Sequence, residues 1–225
     1  MRISIIVPVL NEERAIAATL ESLAPLAIEE VIVVDGGSTD HTREIVAGTQ
    51  AVLASSPSPR SRQMNHGAEI ARGEILLFLH ADTRLPASAV TDIRSAMQDS
   101  RCVGGRFDVK LDATSWKVQM IGRLINLRSR WTKVATGDQA IFVRREVFRG
   151  LGGFPDLPLM EDIAFSRALK RQGKVACLRT EVVTSSRRWQ KEGVWLTVLK
   201  MWALRLLFLA GVSPFYLKRF YRDAR

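Results

Sequence analysis

The chain has 225 residues, a formal net charge of +10 and two cysteines, Cys102 and Cys177. That length suits one large α/β domain with ample chain for a core. Two cysteines leave no disulfide framework to infer and fit reduced thiols in a cytosolic setting. The first apolar run, only about eight residues and β-branched, does not read as a secretory signal, so a cytoplasmic protein is expected.

In chain order, MRISIIVPVLNEE opens with an apolar run from Ile3 to Leu10 that breaks into Asn11, Glu12 and Glu13. It predicts a strand over 2–9, then a helix over 12–26 with Ala15, Ile16, Leu20 and Leu23 facing inward. A second run predicts a strand over 31–35, leading to a helix at 39–47 that Asp40 or Thr39 can cap. A short strand at 51–54 enters the turn-rich Ser55-Ser56-Pro57-Ser58-Pro59. A helix over 60–72 stopped by Gly73 follows, then a strand over 74–80 and a helix over 87–99 behind Pro86.

The second half changes character. Residues 103–111 alternate, with Phe107, Val109 and Leu111 against Arg106, Asp108 and Lys110, and read as an antiparallel or edge strand. A helix over 115–131 and a buried strand over 139–143 come next. The loop Gly150-Leu151-Gly152-Gly153-Phe154-Pro155 precedes a helix over 162–172. Strands at 174–178 and 182–185 lead to a long apolar helix over 194–210.

Alternating strands and helices with right-handed crossovers make a Rossmann-like, three-layer α/β sandwich the default fold. Continuous apolar strands are those of a parallel sheet covered on both faces. Ligands of open α/β sheets sit beyond the carboxyl ends of the strands. There the three early runs end in Asn11-Glu12-Glu13, in Asp35-Gly36-Gly37-Ser38-Thr39-Asp40 and in His80-Ala81-Asp82. Such a rim of carboxylates suits a sugar nucleotide with a divalent cation.

The positive charge is concentrated late. Residues 113–149 hold eight Lys or Arg against two acids, and 187–225 hold nine against two. Both segments are rich in tryptophan, carrying all five between them. Basic, tryptophan-rich sequence points to an anionic membrane surface, whereas basic sequence alone fits nucleic acid equally. Residues 194–217 are long enough to span a bilayer. Lys200 and Arg205 within them each cost about 2.5–3.5 kcal/mol at its centre, which argues against a span. These two stand about 140° apart on a helix, with Met201 and Leu204 between them, so the amphipathic face is imperfect. A helix packed partly on its own domain and partly on a partner or membrane surface is expected.

The segments SIIVPVLNEE, VIVVDGGSTDHT, ARGEILLFLHADT, GDQAIFVRR, GGFPDLPLMEDIAFSRALKRQG and SSRRW, in this order, resemble those of family 2 glycosyltransferases, enzymes of the GT-A fold. The stretch PRSRQMNHGAEIARGEILLFLHADTRLP is also similar to a bacterial subgroup of arsenosugar-biosynthesis glycosyltransferases. The resemblance implies a single GT-A domain over 1–225. Residues 1–112 would be its nucleotide-sugar half, 113–190 its acceptor and catalytic half, and 191–225 a basic, apolar helical tail. It also implies inverting transfer from a nucleotide-activated sugar, usually UDP-linked, to an unknown acceptor (small molecule, glycan or lipid-linked), assisted by Mn²⁺ or Mg²⁺. No nucleic acid is expected, and a homodimer is compatible with this reading.

Carried over residue by residue, the resemblance assigns Asp35 to the uracil or ribose, with Gly36-Gly37 letting the backbone turn close to the nucleotide. Pro8, Asn11 and Glu13 form the neighbouring wall, although Glu12 and Glu13 also suit a helix N-terminus. Arg62 and Asn65 share a helical face and resemble the family's base-contacting pair at a spacing one shorter, with Arg60 as the competing arginine and a solvated basic helix end as the alternative. His80-Ala81-Asp82 occupies the place of the family's Asp-x-Asp metal motif. Strand alternation would set His80 and Asp82 on one side as metal ligands, with Ala81 opposite in the nucleotide-sugar set. A histidine in place of the first acid favours Mn²⁺ over Mg²⁺. Glu161 and Asp162 are the catalytic candidates, Asp162 resembling the general base; a first-turn acidic pair that complements the helix dipole is the structural alternative. Arg187-Arg188-Trp189 resembles part of a Gln-x-x-Arg-Trp motif with Ser185 at the Gln position, which does not support processivity. Arg188 and Trp189 would then lie near the diphosphate. Two further readings stay open: a sugar nucleotidyltransferase, which favours an early Gly-x-Gly-x-Arg loop that this chain lacks, and a non-catalytic basic module that binds membrane surfaces.

Overall fold

Ile3, Ile5, Val7 and Val9 project to one side of the first strand and Ser4 and Ile6 to the other, and all are buried. A strand covered on both faces needs apolar residues at every position, which is why its sequence reads as an unbroken run. The computed structural model describes residues 1–187 and 193–221. The elements of the first half are β1 (Ile3–Val9), α1 (Ile16–Leu23), β2 (Glu30–Asp35), α2 (Thr42–Ala47), β3 (Val52–Ser55), α3 (Arg60–Ile70), β4 (Ile75–Phe78), β5 (Thr83–Arg84) and α4 (Ala89–Ala96). They are followed by β6 (Cys102–Asp112), α5 (Trp116–Thr132), a 3₁₀ turn at Gly137–Gln139, β7 (Ile141–Arg144), α6 (Arg145–Gly150), α7 (Glu161–Leu169) and β8 (Lys174–Ser185). Last come α8 (Val194–Leu209) and α9 (Pro214–Leu217).

The strands form one mixed sheet in the order β3-β2-β1-β4-β7-β6-β8-β5. β1 to β4 are parallel. β7 runs antiparallel to both β4 and β6, β6 is parallel to β8, and β5 closes the far edge antiparallel to β8. Apolar clusters fill both faces, one bringing α1 and α4 onto the sheet and the other bringing α3, α6 and α7. The parallel half has the α/β order that the periodicity predicts.

Two expectations are corrected by the tertiary context. β6 is no edge strand: it lies between β7 and β8, and its alternate polar residues Arg106 and Asp108 are buried. Arg106 and Arg130 both pair with the Asp108 carboxylate, which is how this polar stripe is accommodated inside the fold. The two late strands are one continuous β8, and α6 forms where the sequence showed only the approach to a glycine-rich loop. The long apolar helix expected over 194–210 forms as α8. α8 ends at Leu209, Gly211 turns at φ 91°, and α9 starts anew at Pro214. No helix among the described residues is long and apolar enough to cross a membrane.

Candidate active site

The carboxyl ends of β1, β2 and β4 and the start of α7 converge on one rim. At the β2 end, Asp35 is fully buried and accepts N–H donors from Gly37 (3.1 Å) and Ser38 (3.1 Å), with Arg43 Nη1 3.2 Å away. Gly37 adopts φ 97°, a left-handed turn that a side chain would strain. The β1 end is stitched to this turn. Asn11, itself left-handed at φ 55°, accepts from Thr39 N–H (2.8 Å) through its side chain, and its own N–H donates to Ser38 Oγ (2.9 Å). Glu12 N–H donates to Thr42 Oγ1 (2.8 Å) and Glu13 N–H to Asp40 Oδ2 (3.1 Å). Asp40 also accepts from Thr42 N–H at 3.0 Å, although α2 begins at Thr42 with His41, not Asp40 or Thr39, at its cap position. Glu13 turns its carboxylate to exposed His41, accepting from its backbone (3.1 Å) and contacting Nδ1 (3.0 Å). These contacts hold the Glu13 carboxyl below its usual range and raise the His41 imidazole.

Beneath this rim lies Gln63, a residue the sequence reading passed over. Its Nε2 donates to Val9 O (2.7 Å) and Val34 O (2.8 Å), tying the ends of β1 and β2 together under Gly36. Its neighbours on α3 face another way. Arg62 is exposed and makes a forked pair with Asp156 (Nη2 at 2.6 Å), and Asn65 exchanges two hydrogen bonds with the Phe154 backbone (2.8 Å each). The shared helical face of Arg62 and Asn65 therefore pins the loop before α7.

Arg60, the competing arginine, is the one that enters the site. Its Nε and Nη2 donate to Glu161 Oε1 (2.9 and 2.5 Å), and its Nη1 donates to His80 Nε2 at 2.7 Å. A guanidinium has only donors, so Nε2 is the accepting nitrogen of the imidazole. Pro8, Arg60, Met64, His80, Gly137, Phe154 and Asp162 line a narrow opening at this point, with room for little more than a single water molecule. Asp162 Oδ2 accepts from Gly137 N–H (2.7 Å), and Oδ1 from Ile163 N–H (2.7 Å). The 3₁₀ turn that presents Gly137 is fixed by a capping box between Thr136 and Gln139. Burial, with Glu161 alongside, pushes the Asp162 carboxyl up to about 6 against the opposing pull of Arg60 and the two N–H donors. Of the acidic pair, Glu161 is buried on Arg60, which leaves Asp162 as the carboxylate at the opening.

The His80-Ala81-Asp82 segment differs from its expected geometry. β4 ends at Phe78 and residues 80–83 form a turn closed by Thr83 N–H to His80 O (3.1 Å), so strand alternation does not govern them. Ala81 is buried and accepts at its carbonyl from Thr19 Oγ1 (2.6 Å). Asp82 Oδ2 faces Arg187 Nη2 (3.2 Å), which also reaches Glu12 Oε2 (3.0 Å). Among the described residues no group of three or more His, Cys, Asp or Glu is placed to hold a metal. The donor set does not fit a cation caged by protein alone. It does fit one held by a single carboxylate, Asp82, with phosphates and water completing the shell, as Mg²⁺ commonly is. His80, with Nε2 committed to Arg60, is the weaker of the two proposed ligands. Arg188 and Trp189 lie outside the described residues.

Residues 4–152 match the family described as Glycosyl transferase family 2. Probable glycosyltransferase YdaM of Bacillus subtilis (strain 168) is 27% identical over 191 residues, covering 72% of this chain and 44% of that protein. The chain thus spans less than half the length of this relative. Among solved structures, S. aureus TarS 1-349 in complex with UDP has a TM-score of 0.68 at 21% identity, covering 82% of this chain and 60% of that one. Glucosyl-3-phosphoglycerate synthase from Mycobacterium tuberculosis, in complex with Mn²⁺, UDP and glucosyl-3-phosphoglycerate, has a TM-score of 0.64 at 19% identity, covering 94% and 81%. These likenesses bear out the GT-A fold. None of the three names an arsenosugar.

Proposed function

Because the chain belongs to glycosyl transferase family 2, we propose that it moves a sugar from a nucleoside-diphosphate donor, UDP-linked, to an acceptor hydroxyl with inversion at the anomeric carbon. The observation that carries this reading is Asp162. It stands at the opening with both oxygens held by backbone N–H donors, and its carboxyl is raised towards the working pH, as suits a general base. In the reaction Asp162 takes the proton of the acceptor hydroxyl while that oxygen attacks the anomeric carbon. The bond from that carbon to the diphosphate oxygen breaks, and the nucleoside diphosphate leaves from the opposite face. Asp35 and the Gly37 turn take the nucleoside, with Pro8, Asn11 and Glu13 walling one side. Arg62 and Asn65 act by fixing the loop that leads into α7. Asp82 would hold a divalent cation arriving with the donor, which neutralises charge on the departing diphosphate. Arg187, already drawn between Glu12 and Asp82, marks the same place as one that anionic groups of the donor can share.

Thermal unfolding in the presence of UDP, GDP and their sugars, each with and without Mn²⁺, tests donor and metal together, since true ligands stabilise by mass action. A UDP-selective shift that grows with Mn²⁺ and loses its metal increment in Asp82→Asn is expected. Asp162→Asn should keep the shift and lose turnover by about 10²–10⁴-fold. Full turnover in Asp162→Asn would overturn the assignment of the base, and a shift indifferent to nucleotide would overturn that of the donor.

A further inference from the structure

α8 carries two apolar faces. Thr197 and Leu204 are buried, Phe208 packs in the cluster of Leu204, and Val198 packs with Leu111, Val118 and Ile121, both against the domain. On the opposite side Leu196, Leu199, Trp202, Leu206, Leu207 and Leu209 are exposed, Leu199 and Trp202 each at 68%. At about 100° per residue these six fill an arc of roughly 160°. Lys200 and Arg205 fall on either edge of that arc, not across it. The residues between them by the short way, Met201 and Leu204, belong to the side turned to the protein. The imperfect amphipathic face expected from sequence is thus a bracketed one.

α5 repeats the pattern. Trp116, Leu124, Leu127 and Trp131 are exposed, Trp131 at 90%, and they fall within about 80° of the helix circumference. Lys117 and Arg123 flank them. α5 and α8 touch, Val198 packing with Val118 and Ile121. Beyond α8, Phe215, Tyr216 and Phe220 are exposed beside Lys218 and Arg219. Residues 113–137 and 193–222 contain no Asp or Glu. Apolar side chains edged by cations, with no acid among them, complement an anionic lipid surface, where stems bury and charged heads reach the phosphates. The 16 residues of α8 amount to about 24 Å, short of the roughly 30 Å hydrocarbon core, so the helix lies in the interface plane.

We propose that the outer faces of α5, α8 and α9 dock this protein on an anionic lipid bilayer. On its inner side α8 packs Leu204 and Phe208 with Met160 and Ile163 at the start of α7, the helix that bears Glu161 and Asp162. The bilayer then lies one helix away from the opening, which suits an acceptor presented at the lipid surface. The docking itself does not depend on the donor reading, because it is measured without turnover.

The test is sedimentation of the full chain with vesicles of phosphatidylcholine, alone or with phosphatidylglycerol. The paired variant Leu199→Glu/Trp202→Glu, at exposed positions outside the site, serves as the control, its folding checked by circular dichroism. Partitioning to the anionic vesicles, weakened by salt, unaffected by soluble glycerol phosphate and lowered at least about tenfold by the variant, is expected, with turnover of a soluble donor unchanged. No partitioning, partitioning equal on neutral vesicles, or full retention in the variant would overturn the proposal. So would concentration-dependent dimerisation abolished by the same variant without vesicle binding, which would assign the face to a second copy.

Discussion

Replacing Arg60 by methionine isolates the ion pair that organises the opening. The Glu161 side chain is 5% exposed and takes two N–H donors from Arg60, at 2.9 and 2.5 Å. Removing one partner of a buried pair strands the other charge, at a cost of about 3–5 kcal/mol when both are fully buried. Arg60 is 37% exposed, so water screens part of this and about 2–4 kcal/mol is expected. For a chain of this size a loss near 3 kcal/mol lowers the melting temperature by about 6–12 °C. Arg60→Met combined with Glu161→Gln removes both charges and should recover all but about 1 kcal/mol. Urea unfolding reads the difference as a shift in midpoint at constant slope. A second readout follows from the site: Arg60 holds the Asp162 carboxyl down, so the acid limb of the rate–pH profile should move upward in Arg60→Met. The double variant, which also lacks Glu161, should bring it back. A single variant costing less than about 1 kcal/mol, or a double variant as unstable as the single, would refute the reasoning.

In the unaltered chain the acid limb should fall near 6, where burial places Asp162, instead of near 4 for an ordinary aspartate. The same shift has a stability sign. The folded state holds this proton more tightly than the unfolded chain, so stability falls as pH rises from about 4 to about 6. Asp162→Asn should lack that slope in pH-dependent denaturation. Gly105→Ala would set a Cβ 2.5 Å from Ala176 O and against the Phe142 ring, and should cost about 1–3 kcal/mol or more by calorimetry. Gly150→Ala, with open space at the end of α6, should be neutral or stabilising by up to about 1 kcal/mol. Gln63→Leu should cost about 1–3 kcal/mol, because two strand-end carbonyls lose a buried donor.

The parallel half is legible because β1 and β4 are buried at every position and β2 from Ile32 onward, so the pattern is continuous and hard to mistake. Alternation in β6 fits its antiparallel pairing with β7 but not an edge position, because Arg106 and Asp108 are buried and Asp108 takes both Arg106 and Arg130 inside the fold. Helical spacing correctly grouped Arg62 with Asn65, but spacing cannot say what a face meets, and it meets the Asp156 loop. Arg60, at the first position of α3, meets the site instead. The His80–Asp82 geometry was misjudged because β4 stops two residues earlier than the apolar run suggested, and a turn obeys no two-residue period. Asp162 was placed at the opening by its motif alone. Its hold on Gly137 depends on a contact 25 residues away that no local pattern announces.

The mutual hydrogen bonds of Asn11, Glu12 and Glu13 with Ser38, Thr39, Asp40 and Thr42 join the β1 and β2 ends before any substrate arrives. On the proposed reading, a cradle already knit in this way surrenders little disorder on taking up a nucleoside, so most of the contact energy would survive as affinity. On the same reading, engineering towards other donors would meet stiff resistance at this seam, where loosening one stitch slackens its neighbours. The more yielding ground for such engineering lies across the opening, on the loop that Arg62 and Asn65 fasten from outside.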